Sequence, residues 1–182
     1  MEQTMTKWTV RDMAYIAVFV AVMAVCSWIS IPTTIPFTLQ TLGLFLTVGL
    51  LGGKRGSITV LAFILLAAVG APVLAGFSGG LSALLGATGG YIMGFLFSAV
   101  MMWGVERLFG SSLPVLGVSM VLGMLVYYAF GTAWFMMVYT RDTGAITLGA
   151  ALMWCVVPYL LPDLVKTALA LAITARLRPH VK

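Results

Sequence analysis

Residues 156–170 read VVPYLLPDLVKTALA. Nearly every residue here is apolar, yet Asp163 and Lys166 sit in the middle. In lipid an ionised side chain costs at least ~2.5–3.5 kcal/mol on insertion scales. At i, i+3 the two share one face of a helix, with Cβ atoms ~5–6 Å apart. Tyr159, four residues before Asp163, extends that face. Pro158 and Pro162 disturb the helix just above and free backbone groups that need other partners. Two readings stand at this point. The pair is a structural ion pair locking two helices together, or it is a buried polar site for a solute, which intramembrane ionisable residues mark by default.

The rest of the chain supports the lipid setting. Its 182 residues are 62% hydrophobic and 8% charged, with a mean hydropathy of +1.10. A soluble domain carries about 25% charged residues, so this chain has too little polar side chain to cover a wet surface. The expected fold class is an all-α polytopic membrane protein, residues 1–182 forming one transmembrane domain in the bilayer. Net charge is +5 without a basic arm or run, which argues against nucleic-acid binding. Cys26 and Cys155 both fall in apolar segments and read as buried free thiols. With His180 the lone histidine, there is nothing from which to build a zinc site or a His-based triad.

Polar punctuation divides the chain into six apolar segments, about 13–31, 39–52, 57–70, 84–104, 115–138 and 148–174. Six transmembrane helices follow as the expectation. The first segment is longer than the ~7–15 residues of a signal-peptide core. The second and third fall short of the ~20 residues a span needs, and short Gly/Pro-flanked segments are where solute sites form. With the N-terminus inside, Lys7, Arg11, Lys54, Arg55, Arg107, Arg176, Arg178 and Lys182 lie on the inner side and only Arg141 in an outer loop. That asymmetry places both termini in the cytoplasm.

Two outer loops are unusual. IPTTIPFTLQ (31–40) carries Pro32 and Pro36, which make it extended and stiff. Residues 70–90 carry seven glycines, which let backbone approach a ligand closely. Neither loop is hydrophilic, so both are expected to fold back over the bundle. Phe37, Tyr91 and Tyr159 sit beside these loops and the charged pair and are candidates to line a pocket. Trp8, Trp28, Tyr127, Tyr128, Trp134 and Tyr139 read mostly as an interfacial belt.

Ala14, Ala17, Ala21 and Ala24 form one small-residue stripe on the first segment. Such stripes permit close helix approach in lipid, within this chain or against a partner. Gly90 and Gly94 read as a packing pair of the same kind. GGKRG (52–56) lacks the GxxxxGK[ST] spacing of a nucleotide loop and reads as a tight cytoplasmic turn, so any ATP-driven step belongs to another subunit.

PFTLQTLG (36–43), GFSGG…GATGGYIMGF (76–95) and VPYLLPDLVKTALA (157–170) together resemble the BioY family, the biotin-binding S-components of energy-coupling-factor (ECF) transporters. The resemblance covers nearly the whole chain and departs from the family pattern at Ala87, where proline is common. It implies a six-helix bundle of the S-component type, with a vitamin pocket near the outer face, lidded by residues 31–40. It implies that the alanine stripe packs against the transmembrane coupling subunit, with two cytoplasmic ATPase subunits completing the assembly.

The function expected is therefore biotin uptake across a prokaryotic plasma membrane, with biotin as transported ligand and no cofactor. The alternatives are an S-component for another vitamin, or an intramembrane enzyme using Asp163 and Lys166 as acid and base. The candidate binding residues are Asp163, Lys166, Tyr159, Tyr91, Phe37, Gln40, Ser78, Gly79 and Gly90. The charged pair is expected to grip the ureido ring, whose N–H donors and carbonyl it complements. The biotin carboxylate falls to Gly-rich backbone N–H groups, Gln40 or Ser78.

Overall fold

The computed structural model describes residues 8–32 and 36–181. It is a bundle of helices. α1 (Val10–Trp28) ends in a short hairpin of β1 (Ser30–Ile31) and β2 (Phe37–Thr38). α2 (Gln40–Leu51), α3 (Gly53–Ala68), α4 (Leu81–Leu85), α5 (Gly89–Phe109), α6 (Leu113–Asp142), α7 (Leu148–Cys155) and α8 (Val157–Val181) follow. Among the described residues, four helices are long and apolar enough to cross a membrane: α1, α5, α6 and the bulk of α8. Thr9 starts α1 with a reciprocal cap, its side chain accepting from Asp12 N–H while Asp12 accepts from Thr9 N–H. That closes two of the donors a helix start leaves open.

Two sequence expectations need correction, and a third, the shortness of the second and third segments, holds. The segment 148–174 is not one helix. Val156 leaves helical geometry (φ −123°, ψ −56°) between α7 and α8, and Pro158 then falls in the first turn of α8, where its missing N–H costs nothing. The loop at 31–40 is not merely extended but pairs with itself, Ser30 opposite Thr38 and Ile31 opposite Phe37; its tip, residues 33–35, lies outside the described residues. The segments 39–52 and 57–70 are one hairpin of helices of 12 and 16 residues. At 1.5 Å per residue they measure ~18 and ~24 Å, less than the ~30 Å hydrocarbon core. They meet at the single residue Gly52, whose φ of +80° is a conformation open to glycine.

α5 and α6 approach closely because small residues interleave. A side chain at Gly90 would run into Trp134, one at Gly94 would meet the backbone of Tyr127, and one at Gly123 would reach Ser98 Oγ. Gly90 and Gly94 are thus packing positions. The core between the helices holds Met23, Leu44, Phe45, Phe63 and Met120, each fully buried.

Candidate functional site

α8 brings Asp163 and Lys166 to the centre of the bundle, 3% and 7% exposed. Lys166 Nζ lies 2.8 Å from Asp163 Oδ1, the geometry the i, i+3 spacing predicted. It also donates to the backbone carbonyl of Thr38 in β2 at 2.7 Å and lies 4.2 Å from the ring centroid of Phe37. Asp163 Oδ1 accepts from Thr41 of α2 as well, at 3.1 Å. Its Oδ2 accepts from Tyr127 and Tyr128 of α6, at 2.8 and 2.6 Å. Two carboxylate oxygens offer about four lone-pair positions, so four protein donors saturate them. The Thr167 hydroxyl donates to the Asp163 carbonyl at 2.7 Å and steadies the turn.

This knot forms one wall of a cavity of about 310 Å³. Of the candidate residues, Asp163, Lys166, Tyr159, Tyr91, Gln40 and Ser78 line it. Phe37 stands just behind, its ring 6.2 Å from that of Tyr159. Gly79 and Gly90 are not among the lining residues: a side chain at Gly79 would strike the carbonyl of Ala71, and Gly90 faces Trp134. Ser78 Oγ donates to the Ala75 carbonyl, so its hydroxyl proton is taken within the loop. Gln40 differs. Its amide nitrogen is buried with no hydrogen-bond partner among the described residues, an orphan donor of the kind native structures rarely leave.

Tyr127 and Tyr128 do not sit in an interfacial belt. Both are buried, and both line the cavity. The signal for this was in the sequence: they lie near the middle of the 115–138 segment, too deep for a headgroup-level aromatic. Thr38, Thr41, Ser82, Ala83, Gly86, Thr88 and Cys155 also line the cavity and were not among the residues singled out as binding candidates.

Both loops over the cavity are tied to α1. Leu39 N–H donates to the carbonyls of Cys26 and Ile29, at 3.1 and 3.2 Å. Trp28 Nε1 donates to the Pro72 carbonyl at 2.7 Å, and its ring stacks on Phe77 at 5.0 Å. Trp134 Nε1 pins the far side of the second loop through the Gly86 carbonyl, at 3.0 Å. On α1 itself, Ala14, Ala17 and Ala21 are exposed, whereas Ala24 is 5% exposed and packs in the core.

The model of the family described as BioY matches residues 1–182. The chain belongs to the BioY family. It is 36% identical over 170 residues to the "Biotin transporter BioY" of Thermotoga maritima, covering 92% of this chain and 96% of that protein. It is likewise 36% identical over 169 residues to the "Probable biotin transporter BioY" of Pyrococcus horikoshii, with 92% and 96% covered. Among solved structures it resembles the crystal structure of "the S-component for biotin from an ECF-type ABC transporter", with a TM-score of 0.81 and 28% identity over 98% of this chain and 95% of that one.

Proposed function

We propose that this chain captures biotin at the outer face of a prokaryotic plasma membrane, as the substrate-binding subunit of an ECF transporter. The observation that carries the reading is the cavity itself. A largely apolar cavity with a few convergent polar groups suits a small vitamin, in a chain whose relatives are named biotin transporters. Six crossings with both termini in the cytoplasm agree with the distribution of Lys and Arg. In this topology α2 and α3 form a short pair completed by the loops above them. A transmembrane coupling subunit and two cytoplasmic ATPases drive release inside. The exposed alanines Ala14, Ala17 and Ala21 offer the coupling subunit a close approach.

In this proposal the knot around Asp163 holds the ureido ring. Asp163 and Lys166 cancel each other's charge, so a neutral polar ring suits the site. A carboxylate placed there would leave a net negative charge in a buried cavity, which is costly. Lys166 keeps one N–H beyond those given to Asp163 and Thr38, and this donates to the ureido carbonyl. Because Asp163 is saturated, the ureido N–H groups are received by the phenol oxygens of Tyr127 and Tyr128. The orphan amide of Gln40 donates to the biotin carboxylate. Titration calorimetry of the purified chain with biotin tests the reading: saturable one-to-one binding is expected, with a second vitamin such as thiamine or riboflavin giving no heat. Heat from another vitamin and none from biotin would move the chain to a different substrate.

A further inference from the structure

At the other end of the bundle, the starts of α1 and α3 and the end of α5 line a second, more open cavity, of about 620 Å³. Asp12 and Trp28 are 16 residues apart on α1, which at 1.5 Å per residue sets this cavity ~24 Å from the loops over the first. Four cations line it, Arg11, Lys54, Arg55 and Arg107, against two carboxylates, Asp12 and Glu106. Both carboxylates are occupied. Asp12 caps α1 and pairs with Arg55 at 2.7 Å. Glu106 accepts from Gly53 N–H at 2.5 Å and lies 3.9 Å from Arg178.

The other three cations have no ion pair among the described residues. Arg11 donates to the Tyr15 hydroxyl at 3.0 Å. Lys54 lies 5.4 Å from the ring centroid of Trp8, and Arg107 5.5 Å from that of Trp103. Each is held by a nearby aromatic group and keeps N–H donors for something else. The three come from three helices and converge on one concavity. Trp8 and Trp103 line the same cavity, and indoles settle at the headgroup level of a bilayer. Arg and Lys beside such a cavity match a phosphate in charge and in donor geometry.

We infer that this cavity is a binding site for the phosphate of an anionic phospholipid in the adjacent leaflet, held by Arg11, Lys54 and Arg107. Basic pockets between transmembrane helices recognise lipid head groups in this way. The site is separate from the biotin cavity and does not depend on what that cavity binds.

The test is native mass spectrometry of the full chain, titrated with phosphatidylglycerol or phosphatidylcholine. One tightly retained phosphatidylglycerol is expected, in preference to phosphatidylcholine. The Arg11→Gln, Lys54→Gln, Arg107→Gln variant should bind it about a hundredfold more weakly, at about fivefold per cation. Arg141→Gln, Arg176→Gln removes two cations that do not line the cavity and should retain the lipid. Arg107→Gln alone should show about the fivefold loss, which keeps the test open if the triple variant fails to fold by thermal unfolding. Millimolar inorganic phosphate should leave the lipid bound. Equal loss in the triple and the control variant, retention in the triple variant, no lipid preference in the natural chain, or displacement by inorganic phosphate would each overturn the assignment.

Discussion

Lys166 Nζ bridges Asp163 Oδ1, one helical turn away, and the carbonyl of Thr38, 128 residues away in sequence. The cation at the centre of the bundle is therefore also a fastener of the hairpin over the cavity. Its two acceptors belong to two different elements, α8 and β2, and each prediction about the pair has to separate binding from this structural role.

Asp163→Asn keeps the shape and removes the charge. It leaves Lys166 buried without its partner, and breaking a buried pair on one side costs about 3–5 kcal/mol. Biotin affinity should fall by roughly two to three orders of magnitude, with a lower Tm. Calorimetry and thermal unfolding on the same sample check both. Affinity within threefold of the natural chain would remove Asp163 from the site.

Biotin methyl ester keeps the ureido ring and loses the carboxylate charge. If the ring lies at the knot, Lys166→Met should weaken biotin and the ester by a similar factor. Calorimetry on the four protein–ligand combinations yields the coupling energy. A value near zero supports the orientation given above. One above ~2 kcal/mol would place the carboxylate on Lys166 instead, since coupling of that size marks direct contact.

Two glycines give a paired test of packing. A side chain at Gly131 would enter the ring of Tyr91, whereas at Gly104 there is open space. Gly131→Ala should displace Tyr91, break its 3.1 Å contact with Thr132, and destabilise by about 1–3 kcal/mol as overpacking does. Biotin affinity should fall with it. Gly104→Ala should be neutral or stabilising by up to ~1 kcal/mol. Thermal unfolding of the two variants side by side decides the point, and equal Tm values would discount the close approach at Tyr91.

Enlarging the outer face of α1 should spare the cavity. Ala17→Leu and Ala21→Leu are expected to leave biotin affinity unchanged while ATP-driven uptake with the partner subunits collapses. Ala24→Leu should instead lower Tm, because Ala24 is already enclosed. Full uptake in the first two variants would leave the stripe without a partner.

The membrane orientation is open to single-cysteine labelling in a Cys26→Ser, Cys155→Ser background. A cysteine at Ser112, just before α6, should react only when reagent reaches the cytoplasm. One at Thr143, just after α6, should react from outside. The opposite pattern would invert the topology proposed from the Lys and Arg distribution.

How much of this could be read from the sequence depended on whether the signal was local. Asp163 and Lys166 announced themselves, because two ionisable residues in an apolar run have one spacing and few uses. The glycines of α5 were legible as packing for the same reason: Gly90 and Gly94 repeat at one helical face. Tyr127 and Tyr128 were misread, since an aromatic pair in a span has no pattern that separates a belt from a buried donor pair; only their depth did so. Thr41 was invisible. A lone threonine in an apolar helix becomes a ligand of Asp163 only when α2 is laid against α8, and no local periodicity encodes that meeting. The break at Val156 was half legible: Pro158 marked a disturbance, but the residues on both sides are as apolar as those of an unbroken helix, so the segment still read as one.

The last turn of α1 carries a mechanical consequence. Cys26 and Trp28 hold Leu39 and Pro72, one in each of the two loops that roof the cavity. Ala17 lies 11 residues before Trp28 on the same rod, ~16 Å away at 1.5 Å per residue. A stiff helix fastened to both flaps at one end ties their movements to its own. Whatever tilts α1 must swing the two flaps in the same stroke or snap the bonds that carry them.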